Sequence, residues 1–187
     1  MNNKISINKT IEPFNKSIEI EGDKRISIRW ALLASQAVGK SYAENLLKSD
    51  DVLYTLNCLK KLGTKIKKKK DKYEIHGLGL NGYKFKNNLV LDAGNSGTLG
   101  RLILGLLIHT KKKIKLIGDK SLSKRDFLRV TKPLGNFGAN FKTNSGKLPI
   151  TVIGTKSPVP IRYYETKGSA QCKSAIMLAA LNTKGET

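Results

Sequence analysis

Backbone N–H groups and small polar side chains at one turn of the chain have the pattern of an anion-binding site. The segment LDAGNSGTLGR (91–101) passes from the end of an apolar strand through a polar turn into an apolar helix. A helix start exposes unpaired N–H groups and the positive end of the helix dipole, so it attracts phosphate and carboxylate. Gly94 and Gly97 allow a ligand to approach the backbone, and Ser96 or Thr98 would cap the helix. A single turn of this kind is more often a capped helix start without a ligand.

Two further segments repeat this outline, which strengthens the interpretation. The segments that begin at Gly22 and Gly168 also have a glycine, then small or polar residues, then a helix with a basic residue in its first turn. The three leading glycines lie at nearly equal intervals along the chain. Gly63 and Gly138, each predicted to end a helix before an extended segment, recur at a similar interval. The chain therefore contains an internal repeat, longer than the ~20–50 residues of solenoid repeats and typical of a small α/β module.

The repeated signals require helices and strands in a fixed order to position them. Each full unit is predicted to consist of a strand, a helix, a strand, a second helix and further strands, which gives an α/β (α+β) fold. The lysine-rich segment 65–75 is predicted to be a solvated hairpin that turns near Lys70 and Asp71, and Pro133 is expected to kink or restart its helix. The predicted helices cover residues 26–38, 50–62, about 97–109, 124–137 and 170–181. The predicted strands cover residues 5–7, 17–20, 41–45, 88–91, 113–117, 150–153 and 161–164.

Repeated modules tend to pack symmetrically, so the three glycine-led helix starts are expected to meet in a shared cationic floor. One helix start contributes about 0.3–1 kcal/mol towards binding an anion, and each charge-assisted hydrogen bond contributes about 1.5–3 kcal/mol. Three starts together with Lys24, Arg29 and Arg125 would outweigh the several kcal/mol that desolvation of a dianion costs. A single helix start would not.

The net charge of +21 in 187 residues also suits a basic nucleic-acid-binding module, which stays open as an alternative. Only six of the 35 basic residues are arginine, however, and the lysines are scattered along the chain. Five of those arginines lie in the repeated helix segments, and arginine binds carboxylate and phosphate with two parallel hydrogen bonds. The exception is Arg162. The arginines therefore point to a small anionic ligand rather than to a polyanion.

Other features exclude several classes of protein. The longest apolar run, 102–108, is far shorter than the ~18 residues of a membrane span, and the first ten residues have no leader-like pattern. A cytoplasmic protein that does not enter the membrane is therefore expected. Cys58 and Cys172 lack metal or redox spacing, and His76 and His109 are isolated, so no metal site and no histidine-based triad is predicted. Asp50 and Asp51 are predicted to stabilise a helix start that Ser49 caps, rather than to act in catalysis.

Five ordered segments resemble the motifs of 5-enolpyruvylshikimate-3-phosphate synthases, the enolpyruvyl transferases of the shikimate pathway. The resemblance implies the enolpyruvyl transferase fold, with two domains of three βαβαββ units each and an active site in the cleft between them. It implies that residues 1–20 pack with the second domain and that residues 21–187 form most of the first domain, with an incomplete third repeat. The second domain would be absent from this chain. The segments are GDKRISIRWALLAS (22–35), SDDVLYTLNCLKKLG (49–63), LDAGNSGTLGR (91–101), GDKSLSKRDFLRVTKPLGNFGA (118–139) and GSAQCKSAIMLAAL (168–181).

The resemblance also implies a reaction. The family transfers the enolpyruvyl group of phosphoenolpyruvate to the 5-hydroxyl of shikimate 3-phosphate and releases phosphate, in chorismate and aromatic amino acid biosynthesis. The family uses no metal, no cofactor and no covalent enzyme intermediate. Its acid–base groups belong to the second domain, so this chain is expected to bind substrate without turnover. The resemblance further implies no nucleic-acid partner, no membrane and a monomer when full length.

The matched motifs imply nine substrate-binding positions. Phosphoenolpyruvate is expected at Lys24, Asn95, Gly97 and Arg125. Shikimate 3-phosphate is expected at Lys24, Arg29, Ser169, Ala170 and Gln171. Arg25 is expected to bind substrate without being assigned to one of the two. Sensitivity to glyphosate is expected too, because in the family the missing side chain at the position of Gly97 decides it.

Three positions depart from the family pattern, and one related enzyme is an alternative. Arg25 stands where the family usually has serine, Asp126 where it usually has proline, and Gly100 where it has a larger residue. UDP-N-acetylglucosamine enolpyruvyl transferase shares the architecture and the donor substrate. Its first motif, however, has Lys-Asn where this chain has Lys24-Arg25, and this sequence shows no counterpart of its loop cysteine.

Overall fold

The computed structural model describes residues 6, 8–10, 12–166 and 168–187, in which α-helices and β-strands alternate. The helices are α1 (Lys24–Gln36), α2 (Asp50–Lys61), α3 (Gly97–Leu106), α4 (Leu128–Gly135) and α5 (Ala170–Ala180), with a short 3-10 turn at Leu122–Lys124. The strands are β1 (Val38–Ala43), β2 (Lys65–Lys69), β3 (Lys72–Leu78), β4 (Leu89–Asp92), β5 (Ile114–Ile117), β6 (Asn140–Asn144) and β7 (Lys147–Ile153). Within these described ranges, no helix has the length and apolar character needed to cross a membrane.

Two sheets of related topology confirm the internal repeat. The first sheet has the order β1-β3-β2 and is antiparallel throughout. The second has the order β4-β5-β7-β6, in which β4 and β5 are parallel and the remaining pairs are antiparallel. The series β5-β7-β6 thus repeats the order β1-β3-β2, and in each series a helix connects the first strand to the hairpin. The second sheet differs in having the additional strand β4.

The core is centred on α3, which lies among the other helices. All ten residues of α3 are buried, and the helix contacts α1, α2, α4 and α5. A helix that is apolar on every side is stable only when it is surrounded by protein in this way. Two glycines inside α3 have atoms of other segments next to them. An added Cβ at Gly105 would lie 2.2 Å from the carbonyl oxygen of Ala175, and an added Cβ at Gly100 would lie 3.4 Å from the Phe127 ring. Glycine inside a helix costs about 1 kcal/mol relative to alanine, which predicts close helix packing at both positions. The structure confirms it at Gly105, whereas Gly100 is in ordinary contact with a residue that precedes α4.

Several predicted elements are confirmed. The second helix ends where Gly63 takes a left-handed conformation with φ of +96°, and Gly138 follows α4 with φ of +98°. The β2–β3 hairpin turns at Lys70 and Asp71, with φ of +54° at Lys70. Strands β4, β5 and β7 and helix α5 also lie where the sequence predicts them.

The first helix was predicted wrongly at both ends. It begins at Lys24 rather than residue 26, because the Asp23 carboxylate accepts a hydrogen bond from the Ile26 N–H at 2.7 Å and caps it there. It ends at Gln36, and Gly39, the predicted end of the helix, instead lies inside β1 with φ of +94°. The chain becomes extended early because β1 pairs with β3 from Val38 onwards. The extended segment predicted at 41–45 is accordingly a strand at 38–43.

The predicted helix 124–137 is split into two pieces. The 3-10 turn ends before Arg125, whose backbone is extended, and α4 begins only at Leu128. The Asp126 carboxylate accepts a hydrogen bond from the Leu128 N–H at 2.8 Å and so favours a new helix start at that point. The helix then continues through Pro133 to Gly135 without restarting. The central helix is also shorter than predicted and ends at Leu106.

Two predicted strands, 17–20 and 161–164, are not strands in the structure. A strand needs a neighbour, as β4 has in β5, and within the described part of the chain neither segment is paired with one. Ile18 is 81% exposed, so its apolar side chain does not pack against the core as it would in a buried strand. The strand predicted at 5–7 lies outside the described residues.

His109 should make the stability of the fold depend on pH. Burial lowers the pKa of this imidazole to about 4 from an ordinary value of 6.5, and its Nδ1 has no hydrogen-bond partner among the described residues. Between these pH values the unfolded chain binds a proton that the folded chain does not, so the free energy of unfolding falls as the pH is lowered. Because the ring is only partly buried, we expect His109→Gln to reduce the loss of stability between pH 7 and pH 5 by about 1 kcal/mol.

Urea unfolding at pH 7 and pH 5 gives the change in the free energy of unfolding between these pH values for the wild type and for His109→Gln. The effect is the difference between those two changes. The variant's own change in stability at pH 7 cancels in that comparison. An equal loss of stability in both proteins between pH 7 and pH 5 would show that His109 is protonated alike in the folded and unfolded chains.

Candidate anion-binding site

The starts of α1, α3 and α5 line one cavity of about 420 Å³, which we call the helix-start cavity. The convergence of the three glycine-led helix starts, expected from the repeat, is therefore confirmed. Residues of α2 and of the segment before α4 complete the wall. The lining residues are Lys24, Arg25, Asp51, Asn95, Gly97, Thr98, Arg125 and Gln171.

Each of the three helices begins with a side-chain cap, which fixes where the helix starts. The Ser96 hydroxyl accepts a hydrogen bond from the Leu99 N–H at 3.2 Å. The Ser169 hydroxyl accepts one from the Cys172 N–H at 3.3 Å. Asp23 caps α1 in the same way. The positive ends of three helix dipoles therefore lie at the helix-start cavity, and each favours an anion there.

Lys24 forms an ion pair with Asp51 across the mouth of the cavity, with Nζ and Oδ2 3.0 Å apart. The sequence predicted only a helix-start role for Asp51, which does lie in the first turn of α2 together with Asp50. The pairing with Lys24 was missed, because it depends on how α1 packs against α2. The cap predicted at Ser49 is not made, since its hydroxyl is buried without a hydrogen-bond partner in the described structure.

Arg125 also lines the cavity and is held by the turn before α3. Its Nη2 donates to the Asn95 side-chain oxygen at 2.9 Å. An added Cβ at Gly97 would lie 2.8 Å from Arg101 Nη1 and 3.0 Å from Arg125 Nη1. The missing side chain at Gly97 therefore allows both guanidinium groups to approach the start of α3.

Three of the nine predicted residues do not line the helix-start cavity. Ser169 and Ala170 lie at the start of α5, next to Gln171, and Ser169 serves as its cap. Arg29 lies one turn further along α1, where its Nη2 donates to the Ser174 hydroxyl at 3.1 Å. Arg29 also borders a separate apolar cavity of about 280 Å³ between α1 and α5, which we call the α1/α5 groove. The groove is lined by Arg29, Leu33, Leu102, Ser174, Met177, Leu178 and Leu181.

The other candidate reactive groups do not line this cavity. Cys58 and Cys172 are buried, as the sequence predicts for packing residues. Burial raises the pKa of the Cys58 thiol to about 12, so this cysteine is a poor nucleophile. No group of three or more His, Cys, Asp or Glu side chains in the described ranges could hold a metal ion.

The arrangement suits binding of a small polyanion. The lining contributes three cationic side chains, Lys24, Arg25 and Arg125, and one carboxylate, Asp51. Asp51 is already paired with Lys24, which leaves an excess of positive charge at three helix starts. Such preorganised donors stabilise phosphate and carboxylate groups without reorganisation.

Comparison with known proteins gives one consistent result. A family model described as EPSP synthase (3-phosphoshikimate 1-carboxyvinyltransferase) matches residues 8–187. A 3-phosphoshikimate 1-carboxyvinyltransferase of Zymomonas mobilis is 41% identical over 183 residues, which are 97% of this chain and 40% of that protein. One of Paramagnetospirillum magneticum is 44% identical over 177 residues, 94% of this chain and 40% of that protein.

A solved structure agrees with these relatives. The structure of the EPSP synthase from Acinetobacter baumannii superposes with a TM-score of 0.84 at 36% identity, over 90% of this chain and 38% of that one. The predicted enolpyruvyl transferase fold is therefore confirmed. The chain spans about 40% of the length of the curated relatives described here.

Proposed function

Because this chain belongs to the EPSP synthase family, we propose that it is the N-terminal part of a 3-phosphoshikimate 1-carboxyvinyltransferase. The whole enzyme would transfer the enolpyruvyl group of phosphoenolpyruvate to the 5-hydroxyl of shikimate 3-phosphate and release phosphate. The observation that carries the proposal is the convergence of three helix starts and three cationic side chains in the helix-start cavity. Both substrates carry a phosphate and a carboxylate, which are the groups that such a cavity binds.

The substrates divide between the two sides of the cavity. Phosphoenolpyruvate would lie against Asn95, Gly97 and Arg125, where an arginine and the start of α3 face the same space. Shikimate 3-phosphate would lie against Ser169, Ala170 and Gln171 at the start of α5, with Lys24 between the two ligands. Arg25, which lines the cavity, would also contact substrate. Arg29, which borders the α1/α5 groove, would bind shikimate 3-phosphate.

The chain by itself should bind substrate without turning it over. The transfer reaction requires proton donation and removal at carbon and oxygen, which needs a titratable group aimed at the reacting atoms. Among the lining residues of the helix-start cavity the one carboxylate, Asp51, is held by Lys24. The acid–base groups would come from the second domain, which would close over this cavity.

The symmetry of the repeat supports the proposed domain organisation. Helix α2 packs against α1 and α3, and α4 packs against α3 and α5. The corresponding helix of a third repeat would pack against α5 and α1, where the α1/α5 groove exposes Leu33, Met177 and Leu181. Residues 21–187 would form most of the first domain, with the third repeat incomplete. The resemblance to the family further implies that residues 1–20 pack with the second domain.

The remaining expectations concern partners and location. The full-length enzyme would be a cytoplasmic monomer, with small-molecule substrates and no nucleic-acid or membrane partner. The helix-start cavity is concave and built from three helix starts, whereas a nucleic-acid site requires an extended basic surface. Glyphosate would inhibit the full-length enzyme, because the resemblance places at Gly97 the position whose missing side chain decides sensitivity in the family.

Phosphate release tests the proposal. Two proteins are incubated with phosphoenolpyruvate and shikimate 3-phosphate. One is this chain alone, and the other is this chain fused to the part of the A. baumannii synthase that has no counterpart in this chain. We expect phosphate release from the fusion and none from the chain alone, and no release when shikimate replaces shikimate 3-phosphate. Turnover by the chain alone would contradict the assignment of the acid–base groups to the second domain.

A further inference from the structure

A buried arginine beneath the helix-start cavity connects three of the segments that form it. Arg101 is 8% exposed and is not one of the residues that line the cavity. Its Nη1 donates to the backbone oxygen of Gly97 at 3.3 Å and to the side-chain oxygen of Gln171 at 3.0 Å. Its Nη2 donates to the backbone oxygen of Asp126 at 3.0 Å, and its guanidinium lies 4.9 Å from the centre of the Phe127 ring.

The bond to Gln171 determines which end of that amide is available to a ligand. A guanidinium only donates hydrogen bonds, so the atom of Gln171 that it contacts must be the oxygen. The amide nitrogen then points elsewhere, and it donates to the Thr98 hydroxyl at 3.1 Å. Because an amide nitrogen carries two hydrogens, Gln171 retains a second N–H beyond the one given to Thr98. Thr98 and Gln171 both line the helix-start cavity.

We propose that Arg101 is a positioning residue that holds Gln171 with its N–H groups, rather than its oxygen, towards an anion in the helix-start cavity. The inference rests on the proposed function for the identity of the anion, shikimate 3-phosphate. Without Arg101 the Thr98 hydroxyl would still bind the amide, but a hydroxyl both donates and accepts and so does not select one end of it. The amide could then turn over and present its oxygen to a negatively charged group. That orientation repels the anion, so affinity falls even though Arg101 does not touch the ligand.

Arginine is required at this position because of its shape. The two terminal nitrogens of the planar Arg101 guanidinium donate hydrogen bonds to three acceptors. These are the Gly97 backbone oxygen, Gln171 Oε1 and the Asp126 backbone oxygen. A lysine ammonium has the same charge but a single nitrogen, and it does not reproduce this fork. Arg101→Lys therefore separates the positioning effect from the attraction of a buried positive charge.

The experiment combines calorimetry with a double-mutant cycle. Shikimate 3-phosphate is titrated into the wild-type chain, Arg101→Lys, Gln171→Leu and the double variant, with Arg162→Lys as an exposed control. We expect Arg101→Lys to lose about 10-fold in affinity, which corresponds to one charge-assisted hydrogen bond, and the control to match the wild type. In the Gln171→Leu background, Arg101→Lys should cause no further loss, since its effect passes through Gln171. Additive losses would overturn the proposal.

A second measurement needs neither a variant nor a ligand. In ¹⁵N NMR relaxation measurements on the wild-type chain, the side-chain amide of Gln171 should be as rigid as the backbone of α5. A mobile Gln171 amide in the ligand-free chain would overturn the positioning role. If the amide is rigid but shikimate 3-phosphate does not bind the wild-type chain, the proposed function fails while the role of Arg101 in holding Gln171 stands.

Discussion

Phe127→Ala is expected to lower the free energy of unfolding by about 3–5 kcal/mol, the usual cost of emptying a buried phenylalanine site. Phe127 is fully buried, and its ring lies against Gly100 on α3 and beneath the Arg101 guanidinium. The substitution therefore removes core packing and the aromatic face that supports a buried charge. At Gly100, where the resemblance implies a larger residue, an added Cβ would lie 3.4 Å from the Phe127 ring.

Urea unfolding followed by circular dichroism measures this change. Phe14→Ala is the matched control, because it deletes the same side chain from a site that is 69% exposed. We expect the control to stay within about 0.5 kcal/mol of the wild type. A loss below about 1 kcal/mol in Phe127→Ala would mean that α4 does not pack on α3 through this ring.

Gly105→Ala is expected to destabilise the chain by about 2–3 kcal/mol, although alanine favours helices more than glycine does. The added Cβ would lie 2.2 Å from the Ala175 carbonyl oxygen, and a backbone atom of α5 can move away only if the two helices separate. The start of α5 carries Gln171, so the same change should weaken binding of shikimate 3-phosphate. Thermal and urea unfolding, followed by calorimetry on the folded variant, measure both effects.

Gly135→Ala is the control for Gly105→Ala, and it is expected to change the free energy of unfolding in the opposite direction. Gly135 lies in α4 with no atom within 4 Å of an added Cβ, and its φ is not positive. Alanine at this position should stabilise the chain by about 0.4–1 kcal/mol, because it reduces the freedom of the unfolded state. If both variants changed stability by the same amount, contact between α3 and α5 would not be the cause.

Local signals in the sequence were sufficient to locate the helix starts of the site. Each start combines a glycine, a capping side chain and a basic residue, and these act over a few residues whatever the rest of the chain does. Because the same signal recurs three times, the repeat and the convergence of the starts were predictable too. The resemblance to the family supplied the nine substrate-binding positions, of which six line the helix-start cavity.

The features that the sequence did not reveal depend on contacts between distant segments. The sequence predicts that Asp51 is a carboxylate at a helix start, and only the packing of α2 on α1 brings it next to Lys24. The sequence places Arg101 as a positive charge one turn inside its helix, but its burial depends on α5 and the segment before α4, which enclose it. The segments 17–20 and 161–164 have the composition of strands, but a strand forms only beside a partner. Gly39 resembles a helix end and lies in β1 because pairing with β3 begins at Val38.

The most direct test of the central claim is a calorimetric titration of this chain with shikimate 3-phosphate, alongside shikimate and inorganic phosphate. We expect saturable binding that requires the phosphorylated ring and weakens about 10-fold or more in Lys24→Ala, which removes a cation from the helix-start cavity. Lys70→Ala, which removes a lysine from the exposed β2–β3 turn, should bind like the wild type. If the folded chain bound shikimate 3-phosphate no better than shikimate, or equally well in Lys24→Ala, the helix-start cavity would not be the substrate site.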